Sequence, residues 1–206
     1  MSSQNSNNIS RNIWAVGRNY ANHARELNNE IPTTPVFFLK SGNCLETNSV
    51  IHLPTWSAEV HYELELALWL DENLSYSHFT LALDLTARDA QNQAKAKGLP
   101  WTLAKSFKGS CPIAPWVNLQ EIESLDSLNF ELFINKRSVQ RGQSQDMIFK
   151  PQELLEYAKN HFPITAHDIL LTGTPEGVGA LRSGDSLDAI LQSEDREILT
   201  CHWDVI

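Results

Sequence analysis

A chain of 206 residues, 42% apolar and 20% charged, has the length and composition to bury one sizeable core. It reads as a single domain over residues 13–206 behind a Ser/Asn-rich flexible tail at 1–12. A formal net charge of -9 argues against a nucleic-acid or anionic-membrane surface, and no apolar run is long enough to span a bilayer, so a small-molecule partner is expected. Cys44, Cys111 and Cys201 are odd in number and have neither CxxC nor zinc-ligand spacing. With no apolar core in the tail to make a signal peptide, this points to a reducing, cytoplasmic setting.

In chain order, residues 13–16 form a short apolar run closed by Gly17, a buried strand that delivers Arg18, Asn19 and Tyr20 at its exit. Residues 22–27 have helical composition and put His23 and Glu26 at i and i+3 on one face, where they can share a proton or simply form a surface pair. Residues 36–39 read as a strand ending at Lys40, and residues 49–53 as another.

The strict alternation of residues 61–70 predicts one continuous strand with two faces. Tyr62, Leu64, Leu66, Leu68 and Leu70 make an apolar stripe. His61, Glu63, Glu65, Ala67 and Trp69 share the opposite face, with the two carboxylates roughly 6 to 7 Å apart. A solvent-facing pair of glutamates is the commoner arrangement for one strand alone. If Ala67 and Trp69 mark a covered face, the pair needs a cation, and oxygen ligands of this kind suit Mg²⁺. Residues 79–83 form the next strand and end at Asp84, a third carboxylate, just before the polar stretch holding Arg88, Asp89 and Gln91.

Gly98 is a predicted helix C-cap, and residues 99–107 read as a loop carrying Lys105. Residues 128–134 and 138–142 form a hairpin around 135–137, and Pro151 opens a helix that ends at residues 162–163. Residues 169–171 are a buried strand running into the glycine-bearing loop 172–179, which lacks the ending of a nucleotide P-loop. Strands at 186–191 and 196–205 complete a strand-dominated α+β chain.

Five stretches in this order, VGRNY at 16–20, HYELE at 61–65, LDLTARD at 83–89, LPWTLAKSF at 99–107 and LTGTP at 171–175, resemble the fumarylacetoacetate hydrolase family, and within it the acylpyruvase-like branch. The resemblance runs from about residue 13 to the C-terminus. It implies a mixed β-sheet roll, assembled as a homodimer. It also implies one Mg²⁺ or Mn²⁺ held by Glu63, Glu65 and Asp84, and an acid/base pair of His23 and Glu26 on a short helix closing over the substrate. By the same resemblance Lys105 and Thr174 bind substrate oxygens, and Arg18, Tyr20, Arg88 and Gln91 line the pocket. Residues 66–83 are fewer than the family usually carries between the second glutamate and the aspartate, which implies an altered wall on that side, and Ala67 replaces a usual glycine.

The expected activity is metal-dependent hydrolysis of a C–C bond in an acylpyruvate of the acetylpyruvate or fumarylpyruvate type. Glu26, oriented by His23, draws the proton from water, and charge develops as a pyruvate enolate is expelled. The same site serves oxaloacetate decarboxylation or keto-enol tautomerisation. A different class, a catalytically silent binding or scaffold protein, follows if the shorter 66–83 segment spoils the site.

Overall fold

The computed structural model describes residues 12–26 and 30–206. Residues 1–11 of the expected tail and Leu27 lie outside that range. Asn12 is already part of the first strand, its backbone N–H donating to Asp168 Oδ1 at 2.9 Å.

Two mixed sheets dominate. In the larger, strands run in the order Val117–Asn118, Tyr76–Leu83, Leu64–Leu70, Ile169–Leu171, Asn12–Gly17 and Val36–Ser41. The pairing is antiparallel except between Asn12–Gly17 and Ile169–Leu171. The second sheet has the order Arg137–Gln143, Leu128–Ile134, Ser186–Ser193, Arg196–Val205 and Val50–Ile51. Apolar side chains from the inner faces meet as one core: Leu64, Leu66, Leu68, Leu81 and Leu83 from the first sheet, Phe130, Leu132, Leu187, Leu191 and Trp203 from the second.

The alternation read over residues 61–70 holds in its faces but not in its continuity. The run breaks at Glu63: Val60–Tyr62 joins a separate small sheet with Thr86–Ala87 and Gly179–Ala180, while Leu64–Leu70 enters the large sheet. Ala67 and Trp69 cover the second face by packing with Ile13, Ala15, Ala82, Ile169 and Leu171. Every residue of Leu64–Leu70 is therefore buried, Glu65 included.

The segment 66–83 belongs to a hairpin of Leu64–Leu70 and Tyr76–Leu83, pairing Leu64 with Leu83 and Glu65 with Ala82 and shifting register between Trp69 and Leu70. The Asp84 N–H donates to the Glu63 carbonyl at 2.8 Å, so the brevity of the segment leaves Asp84 clamped beside Glu63.

The helices are α1 (Ala21–Glu26), α2 (Arg88–Lys97), α3 (Thr102–Lys105) and α4 (Pro151–His161) among the described residues. Gly98 caps α2 in the left-handed conformation that its lack of a Cβ permits, and Pro151 opens α4 where a missing N–H costs nothing. Residues 99–107, expected to be a loop, contain the single turn α3, and that turn carries the Lys105 side chain inward.

Candidate active site

Breaking the strand at Glu63 sets two carboxylates on different walls of one cleft. Glu65 comes from the large sheet and Glu63 from the junction between sheets, while Asp84 follows the partner strand of the hairpin. One carboxylate oxygen from each lies within 4.8 Å of the others, and all three residues are buried.

Three cations face them. Lys105 Nζ donates to Glu63 Oε2 at 2.7 Å, Asp84 Oδ2 at 2.5 Å and Thr86 Oγ1 at 2.6 Å, which uses all three of its protons. Arg88 reaches Glu63 Oε1 at 2.5 Å and Gln91 Oε1 at 2.6 Å. Lys40, at the inner end of its strand and fully buried, donates to Asp84 Oδ1 at 2.7 Å and to the Leu85 carbonyl at 3.3 Å.

Lys40 was not among the site residues expected from sequence. Its strand alternation was the available signal, because residue 40 shares a side with Phe38 and not with the exposed Leu39.

The cations are shared unequally. Burial opposes ionisation of Glu63, but the Lys105 ammonium and Arg88 guanidinium overcome it and hold that carboxyl well below the usual carboxylate range. Glu65 has no ion-pair partner among the described residues; its recorded donor is the Gly173 N–H at 2.7 Å. Burial, then the negative charges of Asp84 and Glu63, push its carboxyl well above the ordinary value. Lys105 moves the other way: despite burial, Asp84 and Glu63 raise its ammonium and keep it charged.

Gly173 is required for this geometry. Its φ of 93° lies in the left-handed region, and a Cβ there would come within 2.8 Å of Asn19 Cβ.

The acid/base candidates stand across the cleft. His23 is buried in the cleft wall, with Nδ1 3.3 Å from Glu26 Oε2. Glu26 lies behind it and takes the Gly177 N–H at 3.1 Å, while Asn22 donates to Glu176 at 3.1 Å, so α1 is pinned to loop 172–179 at two points. Arg18, Arg88, Gln91, Lys105 and Thr174 border the same cleft, which opens to solvent and has a cavity volume of about 40 Å³ with its side chains in these positions.

Two expected pocket residues are placed differently. Tyr20 turns its ring into the main core and borders the neighbouring cleft beside Arg141 and Glu176; its buried hydroxyl has no hydrogen-bond partner among the described residues. Thr174 borders the expected cleft, yet its hydroxyl proton goes to the Leu64 carbonyl at 2.8 Å and its oxygen accepts from Gln140 at 2.9 Å. The Thr174 hydroxyl is therefore already engaged both as donor and as acceptor.

A divalent ion fits these residues. The donors are hard oxygens, they converge, and Glu65 is a buried carboxylate that the protein's own cations leave uncompensated. The thiols do not compete for such a role: burial pushes Cys111 up to about 12, and its neighbour Cys44 is buried as well.

A strand-dominated α+β fold of mixed sheets, with buried carboxylates at the joint between them, defines a class that comparison with known proteins identifies. Residues 12–201 match the family model described as fumarylacetoacetate (FAA) hydrolase C-terminal, and the chain belongs to that family. It is 37% identical over 200 residues to the mitochondrial oxaloacetate decarboxylase of Dictyostelium discoideum, covering 91% of this chain and 92% of that one. It is 38% identical over 190 residues to the mitochondrial oxaloacetate tautomerase FAHD1 of Bos taurus, covering 87% and 86%. Among solved structures, fumarylpyruvate hydrolase from Pseudomonas aeruginosa in complex with Mn²⁺ and pyruvate superposes with a TM-score of 0.88 at 26% identity, covering 96% of this chain and 90% of that one.

The cytoplasmic setting expected from the cysteines stands against relatives named as mitochondrial. No helix among the described residues is long and apolar enough to cross a membrane.

Proposed function

We propose that the protein acts on a small β-keto acid of the oxaloacetate type, moving a proton between carbon and oxygen or releasing CO₂. This replaces acylpyruvate hydrolysis as the first reading, because the two curated relatives above are an oxaloacetate decarboxylase and an oxaloacetate tautomerase. The observation that carries it is the convergence of Glu63, Glu65 and Asp84 opposite His23 in one cleft.

Glu63, Glu65 and Asp84 would hold Mg²⁺ or Mn²⁺, and the structural likeness to a Mn²⁺-bound fumarylpyruvate hydrolase supports a divalent ion. When bound, such an ion supplies Lewis-acid withdrawal of charge from a keto oxygen.

The remaining work falls to side chains of this chain. Lys105, relieved of Glu63 and Asp84, can turn its ammonium to a substrate oxygen, and Arg88 and Gln91 orient the α-carboxylate end. His23 takes the proton from the carbon between the carbonyl groups and returns it to oxygen, the reversible transfer that tautomerisation requires. Glu26 accepts the His23 Nδ1–H and is itself fixed by the Gly177 N–H, so it sets the tautomer and orientation of the imidazole. In this reading the roles differ from those the resemblance implied, with His23, which borders the cleft, moving the proton and Glu26 orienting it. Decarboxylation uses the same placement without a proton taken from carbon.

Hydrolysis of an acylpyruvate is the second reading. It is favoured by the His23–Glu26 pair, which can draw a proton from water as readily as from carbon. A homodimer belongs to the proposal as the family expectation, and light scattering checks it.

The deciding experiment is a panel of oxaloacetate, acetylpyruvate and fumarylpyruvate with and without EDTA, following enol absorbance and pyruvate release separately. Faster enol interconversion or pyruvate release from oxaloacetate, abolished by EDTA, is expected. No metal-dependent turnover of any of the three would leave the silent scaffold as the reading.

A further inference from the structure

The inner end of the cleft is balanced in charge: Glu63, Glu65 and Asp84 face Lys40, Lys105 and Arg88. The outer end is not. Arg88, Gln91 and Lys95 stand at i, i+3 and i+7 of α2, one stripe of the helix, and all three border the cleft. Along the helix axis Lys95 stands about 10 Å beyond Arg88, the residue that pairs with Glu63.

Lys95 Nζ lies 5.5 Å from the centre of the Trp101 ring, which also borders the cleft and gives the ammonium a surface to rest on. Arg18 enters from the opposite wall at the exit of the first strand. It holds φ at 62°, a left-handed conformation uncommon for a residue with a Cβ. Neither Arg18 nor Lys95 forms an ion pair with an acid among the described residues, in contrast to Lys40, Lys105 and Arg88. Partial burial and then the positive charges of Arg88, Arg18 and Lys105 hold the Lys95 ammonium below its usual value, with Glu63 opposing. Like charges gathered at the mouth of a cleft attract an anion that enters it.

We propose that Lys95, with Arg18 opposite, forms a second anion subsite that takes the distal carboxylate of a dianionic keto acid and so selects dicarboxylic over monocarboxylic substrates. The subsite rests on the keto-acid reading above, in which the α-carboxylate end is bound deeper, at Arg88 and Gln91. A monocarboxylic acid leaves both outer cations unpaired. A dicarboxylic acid pairs them and brings the charge-assisted hydrogen bonds that distinguish the two classes.

The test uses non-reacting acids, so that binding is read without turnover. Malate and lactate are both 2-hydroxy acids and differ by the distal carboxylate, while oxalate probes the inner end alone. Calorimetric titration of the Mg²⁺-replete protein should show malate bound about tenfold more tightly than lactate. Lys95→Gln should erase that preference and leave oxalate unchanged, and Lys95→Arg should keep most of it. The proposal is overturned if wild type does not separate malate from lactate, if Lys95→Gln binds malate as before, or if it weakens oxalate and malate equally. Failure of the keto-acid reading shows differently, as absence of oxaloacetate turnover in a protein that still separates malate from lactate.

Discussion

Replacing Glu65 by Gln should have opposite effects on the metal-free and metal-loaded protein. Glu65 is 1% exposed, close to two other carboxylates, and its carboxyl is raised by burial and by Asp84 and Glu63. Between the ordinary glutamate value and that raised value, the folded chain keeps a proton that the unfolded chain has released. Stability therefore falls as pH rises, by about 1.4 kcal/mol per pH unit while the difference of one proton lasts. Gln carries no such burden and still offers a carbonyl oxygen to the Gly173 N–H. In EDTA the variant should gain on wild type as pH rises from about 4.3, by roughly 3 to 6 °C in Tm per pH unit for a domain of this size, until the raised value is passed. With divalent ion at about a hundred times its Kd, wild type gains about 2.7 kcal/mol, whereas the variant, lacking one of three ligands, gains much less. The two melting temperatures should thus draw together or change order between EDTA and metal. Differential scanning fluorimetry across pH 4 to 8 reads this directly. A variant less stable than wild type in EDTA at neutral pH, or stabilised by metal to the same degree, would refute the assignment of Glu65 as the uncompensated carboxylate.

Lys40→Met removes one cation from a fully buried pair and strands Asp84; urea unfolding in EDTA should show a loss of about 3 kcal/mol, partly restored by Mn²⁺ as the ion supplies the missing charge. An unchanged midpoint would show that Asp84 does not depend on it. Glu26→Gln should lower turnover of oxaloacetate by about a hundredfold or more while metal affinity stays as in wild type, measured by initial rates and by calorimetry on the same preparation. Full activity in that variant would show that Glu26 does not set the working tautomer of His23.

Much of this site could be read from sequence because its residues lie within short stretches that keep the order of a known family. The i, i+2 placement of Glu63 and Glu65, the strand end at Asp84 and the i, i+3 placement of His23 and Glu26 offered these residues as candidates, and the five family-like stretches, rather than the spacing, chose them over a solvent-facing pair and a surface pair. What spacing does not contain is tertiary. The break at Glu63 arises because Val60–Tyr62 finds partners in Thr86–Ala87 and Gly179–Ala180, strands distant in sequence or too short to recognise. Lys40 looked like an ordinary strand-end lysine, and Lys105 was singled out only by the resemblance; the burial of both depends on Asp84, 44 and 21 residues away. Tyr20 follows Arg18 closely in sequence but faces the core, since the chain turns at Arg18 through a positive φ.

The most direct test is titration of Mn²⁺ into metal-free protein, followed by calorimetry and by the loss of the free-ion electron paramagnetic resonance signal. One ion bound per chain, with uptake lost in Asp84→Asn and retained in Lys95→Gln, is the result expected of three acidic side chains converging on a single cation. No saturable uptake, or uptake indifferent to Asp84→Asn, would contradict it.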